Sequence, residues 1–123
     1  MVYMDGSPET FLVLAFELGV RVDKTLLDML SHEPEFLPLV TDMVETLVED
    51  LRKWDKGVEF LLRAFTDPDA SGRETLQFVV HYSDNVPWDE MIRKWDEVAD
   101  ELDGIIPDRE LRLRVGITFQ PFL

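Results

Sequence analysis

The sequence contains no cysteine and only two histidines among its 123 residues. Without thiols, the chain can form no disulfide and offers no thiol nucleophile and no thiolate ligand for zinc or an iron–sulfur cluster. His32 and His81 lie far apart, so no closely spaced histidine pair indicates a metal site. We therefore expect no cofactor and no metal ion.

Basic residues are also few, with 12 Lys and Arg against 26 Asp and Glu and a net charge of −14. A protein binds nucleic acid by replacing its counterions with Lys and Arg, and an anionic membrane repels an acidic surface. The charge therefore predicts no nucleic-acid and no membrane partner, and it makes a basic protein a possible partner. The acidity is uneven, since residues 83–108 hold nine acidic and two basic side chains.

Long apolar runs are absent as well. The run at residues 11–18 is far shorter than the roughly 20 residues that a membrane span needs, and no basic segment precedes it as in a secretory leader. These absences predict a cytoplasmic protein.

The residues that are present suit one folded domain. The apolar share of 46% can build a core, and the charged share of 31% covers its surface. The length matches one domain of about 100–200 residues, so we assign residues 1–123 to a single α+β domain.

Helical periodicity is clear in two segments. Residues 36–54 and 88–102 place apolar side chains three and four positions apart, opposite acidic ones. A shorter segment from Asp23 to Leu30 has the same spacing. Gly57 is expected to end the helix at residues 36–54. The sequence therefore predicts three amphipathic helices.

Three segments predict strands. Residues 58–66 and 74–82 are rich in strand-forming residues and flank a turn-forming cluster at 67–72, which indicates a hairpin. That cluster resembles the start of a calcium-binding loop, but Phe78 stands where the bidentate glutamate is required. Residues 111–119 alternate apolar and polar side chains, as a half-buried strand does.

The apolar run at residues 11–18 fits two structures. Ser7, Pro8 and Glu9 resemble a helix start and Gly19 a helix end, which favours a helix. A weak internal repeat favours a strand, because Glu9-Thr10 and Glu74-Thr75 each open an apolar run.

The repeat also suggests the fold. Arg-Lys-Trp-Asp occurs at residues 52–55 and again at 93–96, and each copy is followed by a predicted strand. Two strand–helix–strand units indicate a ferredoxin-like β-α-β-β-α-β sandwich, with helices on one face of an antiparallel sheet. The alternative is N-terminal helices followed by a β-β-α-β unit.

The sheet face opposite the helices supplies the candidate site. Because side chains alternate along a strand, this face would combine an apolar centre with Arg and His around it, as protein interfaces do. The ligand or interface candidates on it are Phe11, Val13, Leu61, Arg63, Phe65, Val79, His81, Arg112 and Arg114. No catalytic residue is assigned, because His81 and the adjacent Tyr82 would point to opposite faces and no oxyanion hole or nucleophile accompanies them.

Three functions fit this surface. The first is a binding or assembly protein without its own catalysis that self-associates through the open sheet face, as a homodimer. The second is a small-ligand-binding protein or enzyme of the dimeric α/β-barrel type, with a cavity near Arg63, His81 and Arg114. The third is an acidic inhibitor or antitoxin-like protein that binds a basic partner.

Overall fold

The computed structural model describes residues 8–54, 56–66 and 73–122. These form α1 (Pro8–Glu17), β1 (Val20–Val22), α2 (Lys24–His32), α3 (Phe36–Lys53), β2 (Glu59–Thr66), β3 (Glu74–Tyr82), α4 (Trp88–Ile105), α5 (Arg109–Leu113) and β4 (Val115–Pro121). The expected mixed α+β class is confirmed.

The N-terminal apolar run is a helix, and the strand interpretation of residues 8–18 is wrong. Phe11 and Ala15, one helical turn apart, are buried against the core. Gly19 follows the helix at a positive φ of 75°, a conformation that glycine adopts without steric cost and that turns the chain directly into β1. Ser7, the expected helix cap, lies outside the described residues.

The three amphipathic helices form where periodicity predicts them. Asp23 caps α2 by accepting a hydrogen bond from the Thr25 amide at 3.0 Å. Along α3 the buried side chains recur three and four residues apart, and α4 buries Met91, Val98 and Leu102 in the same way.

The four strands lie side by side in chain order, β1-β2-β3-β4. β2 and β3 form the predicted antiparallel hairpin, whose expected turn at residues 67–72 lies outside the described residues. β1 pairs parallel to β2, and β4 pairs parallel to β3.

This order does not confirm the ferredoxin-like arrangement. A split β-α-β unit leaves room for another strand between its two strands, whereas β1 and β2 are direct neighbours, as are β3 and β4. The sheet is consequently mixed and not antiparallel. Helices α1 to α3, apart from the three residues of β1, precede a β2-β3-α4-β4 unit, which is close to the alternative arrangement.

The last strand is shorter than the sequence indicates. Residues 109–113 form α5, because the Asp108 carboxylate accepts hydrogen bonds from the Glu110 and Leu111 amides and starts a helical turn. Leu113, which belongs to the segment predicted as a half-buried strand, is 83% exposed. The strand begins only at Val115.

One hydrophobic core lies between the helices and one face of the sheet. Phe60 and Phe78, on adjacent strands, stack within it with ring centroids 5.6 Å apart. Trp54 and Trp95, the tryptophans of the repeated Arg-Lys-Trp segments, both contact Phe119 of β4, with centroids 6.0 and 5.6 Å away. Trp88 differs from them, since it is 72% exposed at the start of α4.

Candidate functional site

The candidate site is the sheet face away from the helices, which we call the open face. Every second residue of the three long strands points to it, and strand pairing aligns these residues in rows. The rows are Arg21–Leu61–Val79–Thr118, Glu59–His81–Gln120, Arg63–Gln77–Gly116 and Phe65–Thr75. Sequence alternation correctly predicts this face for Leu61, Arg63, Phe65, Val79 and His81.

The centre of the open face is apolar. Leu61 and Val79 are directly opposite each other on β2 and β3, and Phe65 near the end of β2 is 44% exposed. Val79 is only 1% exposed although it lies on this face and not in the main core. Leu61, Phe65 and Phe122 are therefore the apolar side chains of this face that another molecule can reach.

A hydrogen-bonded chain crosses the open face beside this centre. The Arg63 Nε donates to the Gln77 Oε1 at 2.8 Å, and the Gln77 Nε2 donates to the Thr118 Oγ1 at 2.6 Å. These three side chains come from β2, β3 and β4. The chain fixes the Arg63 side chain along the sheet surface.

The far end of the open face carries a shallow depression. The His81 ring stacks on the Phe122 ring with centroids 5.7 Å apart and planes 20° apart. The depression encloses about 500 Å³, lined by Arg21, Glu59, His81, Gln120, Pro121 and Phe122. It presents one cation, one carboxylate and two rings, which suits a polar border around the apolar centre.

Phe11 and Val13 do not lie on the open face, because the segment that carries them is a helix. Phe11 is buried in the core, whereas Val13 is 59% exposed on the outer side of α1. Leu12 and Phe16 are also exposed on α1, so this helix carries apolar side chains on both its buried and its outer sides.

Arg112 and Arg114 are likewise not on the open face, since α5 occupies the positions expected to be strand. The Arg112 Nε donates to the Asp103 carboxylate at 2.7 Å, and its Nη1 donates to the Val115 carbonyl at 2.8 Å. Arg114 bonds Glu33 and the Glu74 carbonyl and lies over the Phe36 ring. Neither guanidinium joins Arg63 and His81.

A second surface, the acidic groove, lies between α3 and α4. It encloses about 350 Å³ and is lined by Glu45, Thr46, Glu49, Asp50, Lys53 and Glu101. Burial, followed by a hydrogen bond to the Asp50 carboxylate, raises the pKa of Glu101 to about 7. The sequence shows an acidic side on each of the two helices but gives no sign that these sides meet in one groove.

Lys94 offsets part of this negative charge. Its Nζ lies 3.2 Å from Asp50 and 3.3 Å from Glu97. For Asp50, burial would raise the pKa, but hydrogen bonds with Glu101 and Lys94 outweigh it and lower the pKa. The groove is thus a partly neutralised cluster.

Within residues 8–54, 56–66 and 73–122, no three His, Asp or Glu side chains converge on a possible metal position. None of the helices in this part of the chain combines the length and apolar character required to cross a bilayer.

Comparison of the chain with protein-family models, with curated proteins and with solved structures found no match.

Proposed function

We propose that this chain is a small acidic, cytoplasmic binding or assembly protein that self-associates through the open face of its sheet and has no catalysis of its own. The compartment is inferred from the absence of cysteine in the sequence. The single observation that carries the proposal is the composition of the open face, which has an apolar centre at Leu61 and Val79, polar rows on either side of it, and the exposed Phe65 beyond the Arg63–Gln77 row.

Interfaces between proteins share this organisation. Their buried centres are apolar and often aromatic, and arginine and other polar groups lie at the border. On the open face, the border consists of Arg21, Glu59 and the hydrogen-bonded Arg63–Gln77 pair. Arg63 is already fixed by Gln77, so a contact with it loses little side-chain entropy.

The distribution of charge favours a second copy at this face. The long acidic helices α3 and α4 pack on the opposite side of the sheet, with the core between them and the open face. Two copies that meet through their open faces keep these helices on the two outer surfaces of the dimer. Pairing through the helices would instead bring like charges together.

The other two functions have less support. A ligand cavity near His81 was expected to include Arg114, but this guanidinium is engaged by Glu33. An acidic inhibitor would use the acidic groove, where Lys94 and Lys53 counter the carboxylates. Both functions become the leading explanations if the chain is monomeric.

Leu61→Asp tests the proposal. A carboxylate at the centre of the open face would be desolvated by a second copy, so we expect a smaller assembly with unchanged secondary structure. Size-exclusion chromatography with light scattering measures the mass, and circular dichroism the fold. Ser31→Asp adds the same charge to an exposed position on α2 and should retain the wild-type mass.

Salt provides a second measurement. Apolar pairing should persist at 0.5 M salt, because salt screens exposed charges and leaves apolar contacts intact. A monomeric wild-type protein, or a folded Leu61→Asp variant with the wild-type mass, would contradict self-association through the open face.

A further inference from the structure

The two edges of the sheet differ in their protection. β1 has three residues, one of them Arg21, whereas β4 has seven residues and no charged side chain. Proteins prevent edge strands from pairing with other chains by keeping them short, charged or covered. In the described part of the chain, no strand pairs with the outer side of β4.

The hydrogen bonds to β3 show which backbone groups of β4 face outward. The Leu76 amide donates to the Arg114 carbonyl at 2.8 Å, and the Phe122 amide donates to the Tyr82 carbonyl at 3.0 Å. Residues 114, 116, 118, 120 and 122 therefore face β3. The backbone groups of Val115, Ile117, Phe119 and Pro121 point to the free edge.

At each end of β4, one of the outward-facing backbone groups is not available for pairing with another strand. The Val115 carbonyl already accepts a hydrogen bond from the Arg112 Nη1 at 2.8 Å. Pro121, at the other end, has no backbone N–H to donate. One acceptor is thus occupied and one donor is missing, and the two positions lie six residues apart.

We infer that β4 pairs antiparallel with β4 of a second copy, around a twofold axis at Thr118. In this register Ile117 lies opposite Phe119 of the second copy, and the two residues exchange both backbone hydrogen bonds. The Val115 amide donates to the Pro121 carbonyl. The Val115 carbonyl lies opposite Pro121, which has no N–H to donate. This carbonyl needs no donor from the second copy, because it already accepts a hydrogen bond from Arg112.

Neighbouring registers are less complementary. A shift of two residues in one direction places the Phe119 amide against the occupied Val115 carbonyl. A shift in the other direction places the Ile117 carbonyl against Pro121, which has no donor. The edge is therefore self-complementary in one register, as a twofold symmetric contact requires.

Pairing of this kind would join the two four-stranded sheets into one continuous sheet. It uses the edge of β4 and leaves the open face available, so it is independent of the function proposed above. Either contact alone gives a dimer, and both together give a tetramer when the two twofold axes intersect at right angles.

A single cysteine tests the register. At Thr118 the two copies would form a non-hydrogen-bonded pair with Cα atoms about 4.5 Å apart, within reach of a disulfide. The natural chain has no cysteine, so Thr118→Cys introduces the only thiol. We expect an oxidised, covalent dimer on a non-reducing gel. Gln120→Cys is the control, because the two thiols would be four residues out of register, about 13 Å apart.

Ile117→Pro tests the backbone contact. Proline at this position removes the outward N–H and leaves the bonds to β3 in place. We expect the assembly to lose one twofold contact and the Thr118→Cys cross-link to disappear, while circular dichroism remains native. Ile117→Val, which retains the N–H, should preserve both the mass and the cross-link.

The two proposals fail in different ways. If Leu61→Asp abolishes the Thr118→Cys cross-link and Ile117→Pro preserves it, copies meet through the open face and the edge inference is wrong. If Ile117→Pro abolishes the cross-link and Leu61→Asp does not, the edge contact is supported without the face contact. A monomeric wild-type protein, or equal cross-linking of Thr118→Cys and Gln120→Cys, would also overturn the edge pairing.

Discussion

Arg114 and Glu33, 81 residues apart in the chain, form a bidentate ion pair. The Arg114 Nη1 and Nη2 lie 2.9 and 2.6 Å from the Glu33 Oε1 and Oε2. The pair joins the start of β4 to the loop between α2 and α3. The hydrogen bonds from Arg114 hold the pKa of Glu33 below its usual value. The guanidinium also lies 4.8 Å from the centroid of the Phe36 ring.

Substitution of Arg114 should destabilise the fold. Arg114→Met leaves the partly buried Glu33 carboxylate and the Glu74 carbonyl without their donor, which we expect to cost about 2–3 kcal/mol. Arg114→Lys keeps the charge but lacks the planar fork, so an intermediate loss is expected. Urea denaturation measures the free energy of unfolding. A loss below about 0.5 kcal/mol for Arg114→Met would show that the pair contributes little.

Glu101 should make the stability depend on pH. Because its pKa is raised from 4.5 to about 7, the folded state holds a proton that the unfolded state releases. The free energy of unfolding therefore falls as the pH rises from 4.5 to 7. The contribution of Asp50, whose pKa is lowered, changes only below pH 3.8, outside this window.

Glu101→Gln should flatten this profile. The amide carries no charge at any of these pH values, so the variant should melt at a higher temperature than the wild type at pH 7.5, by about 2–5 °C. The measurement is the melting temperature between pH 5 and 8. Glu110→Gln, at an exposed position on α5, is the matched control. Parallel profiles for wild type and Glu101→Gln would refute the interpretation.

A side chain at Gly19 should destabilise the fold. It has a φ of 75°, and an added Cβ would lie 2.6 Å from the Arg52 Nη2, which donates to the Leu18 carbonyl. Gly19→Ala is expected to cost about 2 kcal/mol, from backbone strain and displacement of Arg52. Gly57→Ala is the control, since Gly57 has a φ of 63° and an added Cβ would meet nothing within 4 Å. It should cost about 1 kcal/mol, and equal losses would exclude a role for Arg52.

Val79 should behave as a core residue despite its place on the open face. Val79→Asp buries a carboxylate without a partner at a position that is 1% exposed, so a loss of about 3 kcal/mol is expected. Leu61→Asp, directly opposite, should lose much less, because Leu61 is only half-buried. Thermal melts compare the two variants. A fully stable Val79→Asp protein would mean that this side chain is accessible.

Prediction from sequence succeeds where one side of an element faces water. β2 and β3 alternate between core and open face, so parity alone places Arg63 and His81 correctly. The same applies to α3 and α4, whose acidic sides are solvated. The strand order is not recoverable in this way, because periodicity reports which side of a strand is buried and not which strand lies beside it.

Prediction fails where the pattern has two solutions. α1 is apolar on both sides, so its period is hidden and strand and helix fit equally well. The alternation at residues 111–113 continues that of β4, and only the capping carboxylate of Asp108 separates α5 from the strand. The alternation therefore predicts Arg112 and Arg114 on the open face. In the structure, Arg112 bonds the Val115 carbonyl at the edge of the sheet, and Arg114 is buried over the Phe36 ring.

The strand order, which equals the order along the chain, also affects how the protein unfolds. β4 is the last strand of the chain and lies at the edge of the sheet, where it pairs with β3 alone. It can therefore unfold together with α4 and α5 while β1, β2 and β3 remain paired. Amides in the β2–β3 ladder are then expected to exchange with solvent more slowly than those that bond β4 to β3. The Arg114–Glu33 ion pair links β4, in the segment expected to unfold first, to the loop between α2 and α3.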